Sequence, residues 1–204
     1  MMRKVENGLR WMGESLEKVR GAPVVLKPEV HRDGRGYFVE TFNERDFHEA
    51  LGSKVGAFVQ DNESMSAMGT FRGLHYQIGN PGQAKLVRVS SGAAYDFVMD
   101  VREGSPTFGE WGVACLNHES KWQMYIPAGF AHGFLATGQP TVFSYKVDCY
   151  REKENERGVR WDDPEIGIEE WLMAGHWSRK EGMSLSKRDM ALPTLGSCEP
   201  SPTA

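Results

Sequence analysis

Two ionisable side chains in the first half of the chain have types that suit proton transfer. His75 lies in the segment Arg72-Gly-Leu-His-Tyr-Gln77, and Lys85 follows ten residues later on the apolar parity of Val87 and Val89. Burying a lysine is costly without a partner, so a lysine at that position needs a reason. A structural alternative is a hydrogen-bonded core histidine and an edge lysine whose ammonium group reaches solvent. Spacing alone does not decide between the two.

A second histidine follows a turn with a recognisable pattern. The segment Pro127-Ala-Gly-Phe-Ala-His132 has the spacing Pro-x-Gly-x-x-His, which resembles the second half of the cupin signature. Metal-binding cupins add a His-x-His pair and a Glu from an earlier strand, whereas here the earlier strand supplies only His75. Two histidines and one carboxylate can still hold iron as a facial triad. A metal site therefore stays an alternative to a metal-free barrel.

Two further side chains have functions that periodicity cannot assign. Tyr145 shares the apolar parity of its segment with Phe143. The hydroxyl of a buried tyrosine either makes a structural hydrogen bond or donates a proton in a dry pocket. Asp189, in Leu185-Ser-Lys-Arg-Asp189, would by itself be predicted to be a surface charge.

The elements that must position these side chains are short strands. Apolar residues of one parity recur in four segments, and turns such as Asn80-Pro-Gly82 and Pro127-Ala-Gly129 separate such segments. The four faces are Phe71, Gly73, His75 and Gln77; Lys85, Val87 and Val89; Tyr95, Phe97, Met99 and Val101; and Phe143, Tyr145, Val147 and Cys149. In the third segment Asp96 and Asp100 take the opposite parity, which indicates a half-buried strand. The pattern predicts an all-β fold, an antiparallel sandwich or barrel. The resemblance to the cupin signature implies a cupin-type antiparallel β-sandwich or jelly-roll barrel with a few short helices.

Helical signals are few. Asn43 precedes Glu44, Phe47 and Leu51 are four residues apart, and Gly52 follows, which predicts one short capped helix. The segment 14–19 is a second candidate. We expect an N-terminal extension over residues 1–20, one domain over residues 21–195, and a loose Ser/Pro-rich tail over residues 196–204.

Composition limits the possible functions. The chain has 204 residues and a formal net charge of −4, which argues against a general nucleic-acid-binding surface. The start lacks the apolar run of a signal peptide, and no apolar stretch approaches the length of a membrane span. The three cysteines have no paired spacing, which favours a reduced, cytoplasmic setting. The sequence has neither a dinucleotide-binding glycine fingerprint nor a metal-ligand cluster, which agrees with a reaction that needs no cofactor and no metal.

Ordered segments over residues 18–195 resemble the family of dTDP-4-dehydrorhamnose 3,5-epimerases. The matching segments are Asp33-Gly-Arg-Gly-Tyr-Phe-Val-Glu40, Phe58-Val-Gln-Asp-Asn62, Phe71-Arg-Gly-Leu-His-Tyr-Gln77, Gln83-Ala-Lys-Leu-Val-Arg88, Ser105-Pro-Thr-Phe-Gly109, Ile126-Pro-Ala-Gly-Phe-Ala-His-Gly-Phe134, Tyr145-Lys146, Tyr150, Trp161-Asp-Asp-Pro164 and Leu185-Ser-Lys-Arg-Asp189. Their unbroken order is more specific than any single motif, and it outweighs the structural alternatives above.

The resemblance implies a role for each matched residue. His75 would be the base, Asp189 the carboxylate that orients it, Tyr145 the acid on the opposite face of the sugar, and Lys85 the group beside the ketone oxygen. The substrate-binding positions would be Arg35, Phe38, Glu40, Gln60, Asn62, Arg72, His132, Tyr150, Glu156 and Arg188, with Tyr150 stacking on the thymine base. The family also implies a dTDP-sugar ligand and a homodimer with exchanged N-terminal strands, so that Arg35 to Glu40 would serve the partner's site.

Three features depart from a simple match. Arg188 precedes Asp189 where many relatives have Lys, and Cys149 precedes Tyr150 where a second Tyr is common. Arg72 and His75 have opposite parity, so a straight strand would not direct both at one ligand. We therefore expect a β-bulge there, or a ligand that reaches over the rim.

The resulting hypothesis is an isomerase that inverts carbons 3 and 5 of dTDP-4-keto-6-deoxy-glucose through an enolate, giving dTDP-4-keto-rhamnose or a related deoxysugar. A single-position epimerase is the alternative within the same fold, because the same residues serve both reactions. A metal-dependent cupin oxygenase and a non-catalytic sugar-nucleotide-binding module are alternatives from other classes.

Overall fold

The computed structural model describes residues 1–6, 8–13, 19, 21–52, 55–79, 82–177 and 182–202. Strands dominate this part of the chain. They are β1 (Arg3–Lys4), β2 (Arg10–Trp11), β3 (Val24–Lys27), β4 (Val30–Asp33), β5 (Gly36–Val39), β6 (Gln60–Ser66), β7 (Phe71–Gln77), β8 (Lys85–Ser91), β9 (Ala93–Asp100), β10 (Trp111–Asn117), β11 (Gln123–Ile126), β12 (Phe130–Ala136), β13 (Thr141–Val147) and β14 (Glu156–Gly158).

Helices are short and lie between or after the strands. They are α1 (Glu44–Leu51), α2 (Ile168–Trp171) and α3 (Lys187–Met190), with 3₁₀ turns at Lys153–Asn155 and Leu195–Ser197 and a π-helical turn at Leu172–His176. None of the described helices is long and apolar enough to cross a membrane.

Two six-stranded antiparallel sheets form the body of the protein. Sheet A has the order β1-β3-β11-β8-β13-β6, and sheet B has the order β14-β7-β12-β9-β10-β2. Apolar side chains from both sheets pack into one buried cluster, which includes Val87, Met124 and Phe143 from sheet A and Val98 and Phe134 from sheet B. The predicted β-sandwich of cupin type is thus confirmed, because the inward parity of each sheet supplies the core.

The outer face of sheet B is also buried. Phe97 and Met99 pack there beneath Trp161, Ile168 and Leu172 of the later segment. The prediction that β9 is half-buried was therefore wrong. Alternation identified the residues that share a face, but it did not reveal that a distant segment covers the second face.

Helix α1 covers the outer face of sheet A and confirms the predicted cap. The Asn43 side chain accepts a hydrogen bond from the Asp46 amide, and Gly52 ends the helix at φ +93°. Phe47 is buried in a cluster with Leu26 and Leu86 of sheet A. Burying one such aromatic side chain contributes about 1.5–3 kcal/mol to folding.

The hairpin of β4 and β5 stands apart from both sheets. The two strands pair only with each other among the described strands. Tyr37 and Phe38 near its tip are exposed, and Lys121 donates a hydrogen bond to the Tyr37 hydroxyl at 2.7 Å. A two-stranded ribbon with exposed aromatic side chains has little core of its own.

Both termini contact the sandwich. Strand β1 pairs with β3 at the edge of sheet A, and β2 pairs with β10 at the edge of sheet B, so the predicted extension supplies two edge strands. The tail predicted to be loose is held by the Ser201 amide, which donates to the Val101 carbonyl at 2.7 Å. Its Ser/Pro composition indicated a flexible end, whereas in the structure the backbone of Ser201 bonds to the segment that follows β9.

The remaining local predictions have mixed outcomes. Residues 127–129 form the predicted turn, with Gly129 at φ +88°. Strand β13 ends at Val147, so Cys149 lies outside the strand that was expected to include it. The candidate helix at 14–19 and the turn at 80–82 fall largely outside the described residues.

Candidate active site

A cavity of about 570 Å³ opens between the two sheets. Strands β6, β8 and β13 of sheet A and β7 and β12 of sheet B supply its walls, and residues after β13 and from α3 close one side. The volume lies in the range of small-molecule sites. Most side chains that line the cavity are polar, which is unusual for the interior of a β-sandwich and indicates a binding function.

Ten of the predicted site residues line this one cavity. They are Gln60, Asn62, Arg72, His75, Lys85, His132, Tyr145, Glu156, Arg188 and Asp189. The first and last of these residues, Gln60 and Asp189, are 129 positions apart in the sequence, and the fold brings them into one cavity.

Four predicted site residues do not line the cavity that the described residues form. Arg35 and Phe38 lie on the β4–β5 hairpin, and Glu40 follows it directly. Tyr150, three residues after β13, is 68% exposed. Within one chain, these side chains are therefore separate from the catalytic candidates.

His75 and Asp189 form a hydrogen-bonded pair. The His75 Nε2 and Asp189 Oδ1 atoms are 2.7 Å apart. Burial raises the pKa of Asp189, but the hydrogen bond and charge of His75 outweigh it and hold that pKa below its ordinary value. The carboxylate can therefore fix the imidazole tautomer and stabilise an imidazolium, which leaves Nδ1 as the ring nitrogen available for proton transfer.

Asp189 has an exposed fraction of 4%, so it is not the surface charge that its segment alone would predict. Ser186 caps α3: its hydroxyl accepts from the Asp189 amide at 3.0 Å and donates to the Asp189 carboxylate at 2.9 Å. The spacing Ser186-x-x-Asp189 is a recognised helix-start pattern and was the available signal. The cap orients the carboxylate toward His75.

A β-bulge in β7 lets Arg72 and His75 share the cavity. Strand β12 pairs His132 with His75 and Phe134 with Arg72, so β7 has one more residue than β12 over this interval. Gly73 lies there at φ +119°, and a Cβ at that position would be 2.6 Å from the Gly133 Cα atom. The bulge expected from the parity conflict is thus confirmed, and it requires glycine.

Lys85 extends from β8 into the cavity as its parity predicted. It is 9% exposed, and its ammonium group donates to the His75 carbonyl at 3.3 Å. Burial lowers the pKa of Lys85 to about 8, although the charges of Asp96 and Glu156 partly oppose the shift. A buried ammonium group whose pKa lies near neutral pH is suited to stabilise a developing oxyanion.

Asp96 is a functional candidate that the sequence interpretation missed. It is fully buried on β9, and its Oδ1 lies 2.7 Å from Nε2 of His132. Burial raises the pKa of Asp96 and lowers that of His132. Its second oxygen, Oδ2, makes no hydrogen bond with any described residue. The sequence did contain a sign that Asp96 is buried. Val98 is apolar and has the same parity as Asp96, which indicated that this face of β9 is buried as well as the other.

Tyr145 faces His75 across the cavity. Tyr145 is on β13 in sheet A, whereas His75 is on β7 in sheet B, so the two side chains belong to opposite walls. Burial raises the pKa of Tyr145 despite the opposing charge of Arg151. The phenol therefore stays protonated at neutral pH and can act as an acid.

The polar groups near Glu156 complete the lining. Arg188 forms an ion pair with Glu156 at 2.6 Å, and Arg151, which was not predicted, donates to the same carboxylate. Burial raises the pKa of Glu156, but the two guanidinium groups outweigh burial and keep that pKa below its usual range. Gln60 donates to Asn62 at 2.7 Å, which orients both amides on β6.

The metal alternative finds little support in these side chains. His75 and His132, the two histidines of that hypothesis, each bond an aspartate. Among the described residues, no group of three or more His, Cys, Asp and Glu side chains could hold a metal ion.

The fold and the cavity define a cupin-type β-sandwich whose side chains are arranged for acid–base chemistry. The family model described as dTDP-4-dehydrorhamnose 3,5-epimerase matches residues 18–197. The chain therefore belongs to the dTDP-4-dehydrorhamnose 3,5-epimerase family.

Individual relatives agree with the family match. The chain is 46% identical over 176 residues to the dTDP-4-dehydrorhamnose 3,5-epimerase of Sinorhizobium fredii, covering 86% of this chain and 85% of that protein. It is 45% identical to the Pseudomonas aeruginosa enzyme of the same name, covering 81% and 87%. Its fold is similar to the crystal structure of the Legionella pneumophila dTDP-6-deoxy-D-glucose-3,5-epimerase in complex with dTDP-4-keto-L-rhamnose, with a TM-score of 0.81, 35% identity and coverage of 96% and 100%.

Proposed function

We propose that the protein epimerises carbons 3 and 5 of dTDP-4-keto-6-deoxy-glucose and gives dTDP-4-keto-rhamnose. The observation that carries this proposal is the placement of His75 with Asp189 on one wall of the cavity and Tyr145 on the opposite wall. Inversion at carbon needs a base on one face and an acid on the other. The two relatives at 45% and 46% identity are named for the double reaction, which favours it over a single epimerisation.

The first step is removal of a carbon-bound proton. The hydrogens on carbons 3 and 5 are acidic because the ketone at carbon 4 can accept the electron pair as an enolate. His75 takes the proton as the general base, and Asp189 stabilises the imidazolium that results. The carbon–hydrogen bond breaks as the enolate carbon–carbon double bond forms.

The second step stabilises the enolate and then returns a proton. Lys85 provides the buried positive charge beside the ketone oxygen. Losing one such preorganised donor typically lowers the rate by about 10²–10³. Tyr145 then donates its phenolic proton to the opposite face of the carbon, and the ketone re-forms with inverted stereochemistry.

The other polar groups of the cavity hold the sugar nucleotide. Arg72 donates hydrogen bonds to Ser66 and to the Met65 carbonyl, which are both neutral, so its charge is available to a diphosphate. His132, held by Asp96, contacts the sugar. Gln60, Asn62, Glu156 and Arg188 contact the sugar nucleotide, as the family resemblance implies.

We also propose that two copies of the chain form a homodimer in which the β4–β5 hairpin reaches the partner's cavity. Arg35, Phe38 and Glu40 do not line the cavity of their own chain as described, and Phe38 is 65% exposed. Placing these residues at the second copy's site would bury the aromatic tip and supply another guanidinium to the nucleotide.

The proposed setting is the cytoplasm. All three cysteines, Cys115, Cys149 and Cys198, are free thiols, which suits a reducing compartment.

Deuterium incorporation tests the proposed function. The protein would be incubated with dTDP-4-keto-6-deoxy-glucose in deuterated water, and the label located by NMR. We expect deuterium at both carbon 3 and carbon 5. Label at only one carbon would show that the protein catalyses a single epimerisation, and label at neither carbon would refute the proposal.

A further inference from the structure

The mouth of the cavity carries more positive charge than its own ion pairs require. Arg151 and Arg188 both bind the carboxylate of Glu156, although one guanidinium is enough to neutralise it. Arg72 also lines the cavity and bonds only neutral groups among the described residues. Three cations and one carboxylate at the mouth leave a net charge of two positive.

The deeper part of the cavity does not cancel this excess. The ionisable side chains that line it include Lys85, with one positive charge, and Asp189, with one negative charge. The whole chain has a formal net charge of −4. The local positive charge is therefore a property of this mouth, and it equals the two negative charges of a nucleoside diphosphate esterified to a sugar.

Arg151 is the more exposed of the two arginines that bind Glu156. Its side chain is 56% exposed, and its Nε and Nη2 atoms bind Glu156 while Nη1 makes no hydrogen bond with the described residues. Arg188 binds the other oxygen of the Glu156 carboxylate, so Glu156 keeps an ion-pair partner without Arg151. An arginine fork with free donors fits a phosphate oxygen.

Arg151 also lies near the chemistry. It lines the same cavity as Tyr145, and its charge is close enough to lower the pKa of that phenol against the effect of burial. Tyr150, the neighbour for which the sequence predicted a nucleotide contact, does not line the cavity as the described residues form it. Arg151, the next residue, does line the cavity, so its side chain can contact a nucleotide bound there.

We infer that Arg151 is a further substrate-binding residue, which contacts the diphosphate of the sugar nucleotide at the cavity mouth. The inference rests on the proposed function and adds a residue that neither the sequence patterns nor the family resemblance pointed to. Glu156 holds the guanidinium in place in the free protein, and Arg188 continues to neutralise Glu156 once Arg151 turns to the diphosphate.

Calorimetric titration of the Arg151→Gln variant with dTDP, inorganic pyrophosphate and thymidine tests this inference. We expect the affinity for dTDP and pyrophosphate to fall at least about tenfold, the effect of losing one charge-assisted hydrogen bond, while the affinity for thymidine is unchanged. Lys153→Gln is the matched control. It removes one positive charge from the same loop at an exposed position outside the cavity, so its affinities should equal those of the wild-type protein.

Turnover separates this inference from the proposed function. Arg151→Gln should raise KM by a larger factor than it changes kcat, because the diphosphate contact is made equally in the ground and transition states. Wild-type affinity of Arg151→Gln for dTDP and pyrophosphate, or a loss confined to thymidine, would overturn the role of Arg151 while the enzyme remained active. A wild-type protein that neither binds dTDP nor epimerises the sugar would overturn both.

Discussion

At the scale of single residues, the site depends on charges whose protonation burial controls. Lys85 and Asp96 are both buried, and each shifts the pKa of the other toward the charged form. The negative charge of Asp96 opposes the lowering of the Lys85 pKa by burial. The protein can thus keep a positive charge in a dry cavity at neutral pH.

The pKa of Lys85 predicts an alkaline limit to activity. Only the protonated amine stabilises an enolate, so kcat/KM should fall as pH rises through about 8, the pKa of Lys85 in the folded protein. An unshifted lysine would lose its proton only near the ordinary lysine pKa of 10.5. The pH dependence of kcat/KM measures this limit.

Asp96→Asn provides the companion experiment, because removing its negative charge removes a factor that raises the pKa of Lys85. The alkaline limit of kcat/KM should then move to lower pH. Glu119→Gln, an exposed change outside the cavity, is the control. If kcat/KM of Asp96→Asn fell at the same pH as that of the wild-type protein, a group other than Lys85 would determine the alkaline limit.

At the scale of elements, the bulge in β7 places Arg72 and His75, which we propose for binding and catalysis, in one cavity. Sequence parity was sufficient to expect it, because Arg72 and His75 could not otherwise face one ligand. Parity was also sufficient for Lys85 and for the α1 cap at Asn43. It was not sufficient for Asp96 and Asp189, because alternation reports which residues share a face and not which distant segment covers that face.

Gly73→Ala should disrupt the bulge. An added Cβ would be 2.7 Å from the His132 carbonyl oxygen in backbone of φ +119°, and we expect a loss of about 2–4 kcal/mol in the free energy of unfolding from strain and overpacking. Because the bulge directs Arg72 and His75, kcat/KM should fall as well.

Thermal unfolding and steady-state kinetics check this prediction. Gly196→Ala is the control, since its added methyl would meet only a Glu165 oxygen at 3.9 Å. Equal stability and activity of the two variants would mean that β7 tolerates a side chain at the bulge.

At the scale of the whole molecule, the proposed dimer explains why part of the expected site lies elsewhere. Ten predicted residues meet in one cavity, while Arg35, Phe38 and Glu40 do not line it. The sequence could assign these three residues to a site only through family resemblance, because strand alternation does not report which surface a separate hairpin reaches. A second copy is the physical solution that we propose.

Complementation between two impaired variants tests the shared site. Arg35→Ala and His75→Ala should each lose most activity alone. After subunit exchange, mixed dimers should contain one site with His75 from one chain and Arg35 from the other, which restores about a quarter of wild-type activity in an equal mixture.

The control for this experiment is a mixture of His75→Ala and Tyr145→Phe. Both side chains line the cavity of one chain, so no mixed dimer would have a complete site and activity should not return. Absence of recovery in the first mixture, with exchange verified by mass spectrometry, would refute the shared site.

The Tyr145→Phe variant provides the most direct test of the opposed acid and base. His75 would remain able to remove a carbon-bound proton and return one to the same face, so exchange of deuterium into recovered substrate should stay within a few fold of the wild-type rate. Formation of the inverted product should fall by about 10²–10⁴, the typical contribution of a general acid. Equal losses in exchange and inversion would contradict the assignment of Tyr145 and His75 to opposite faces of the sugar.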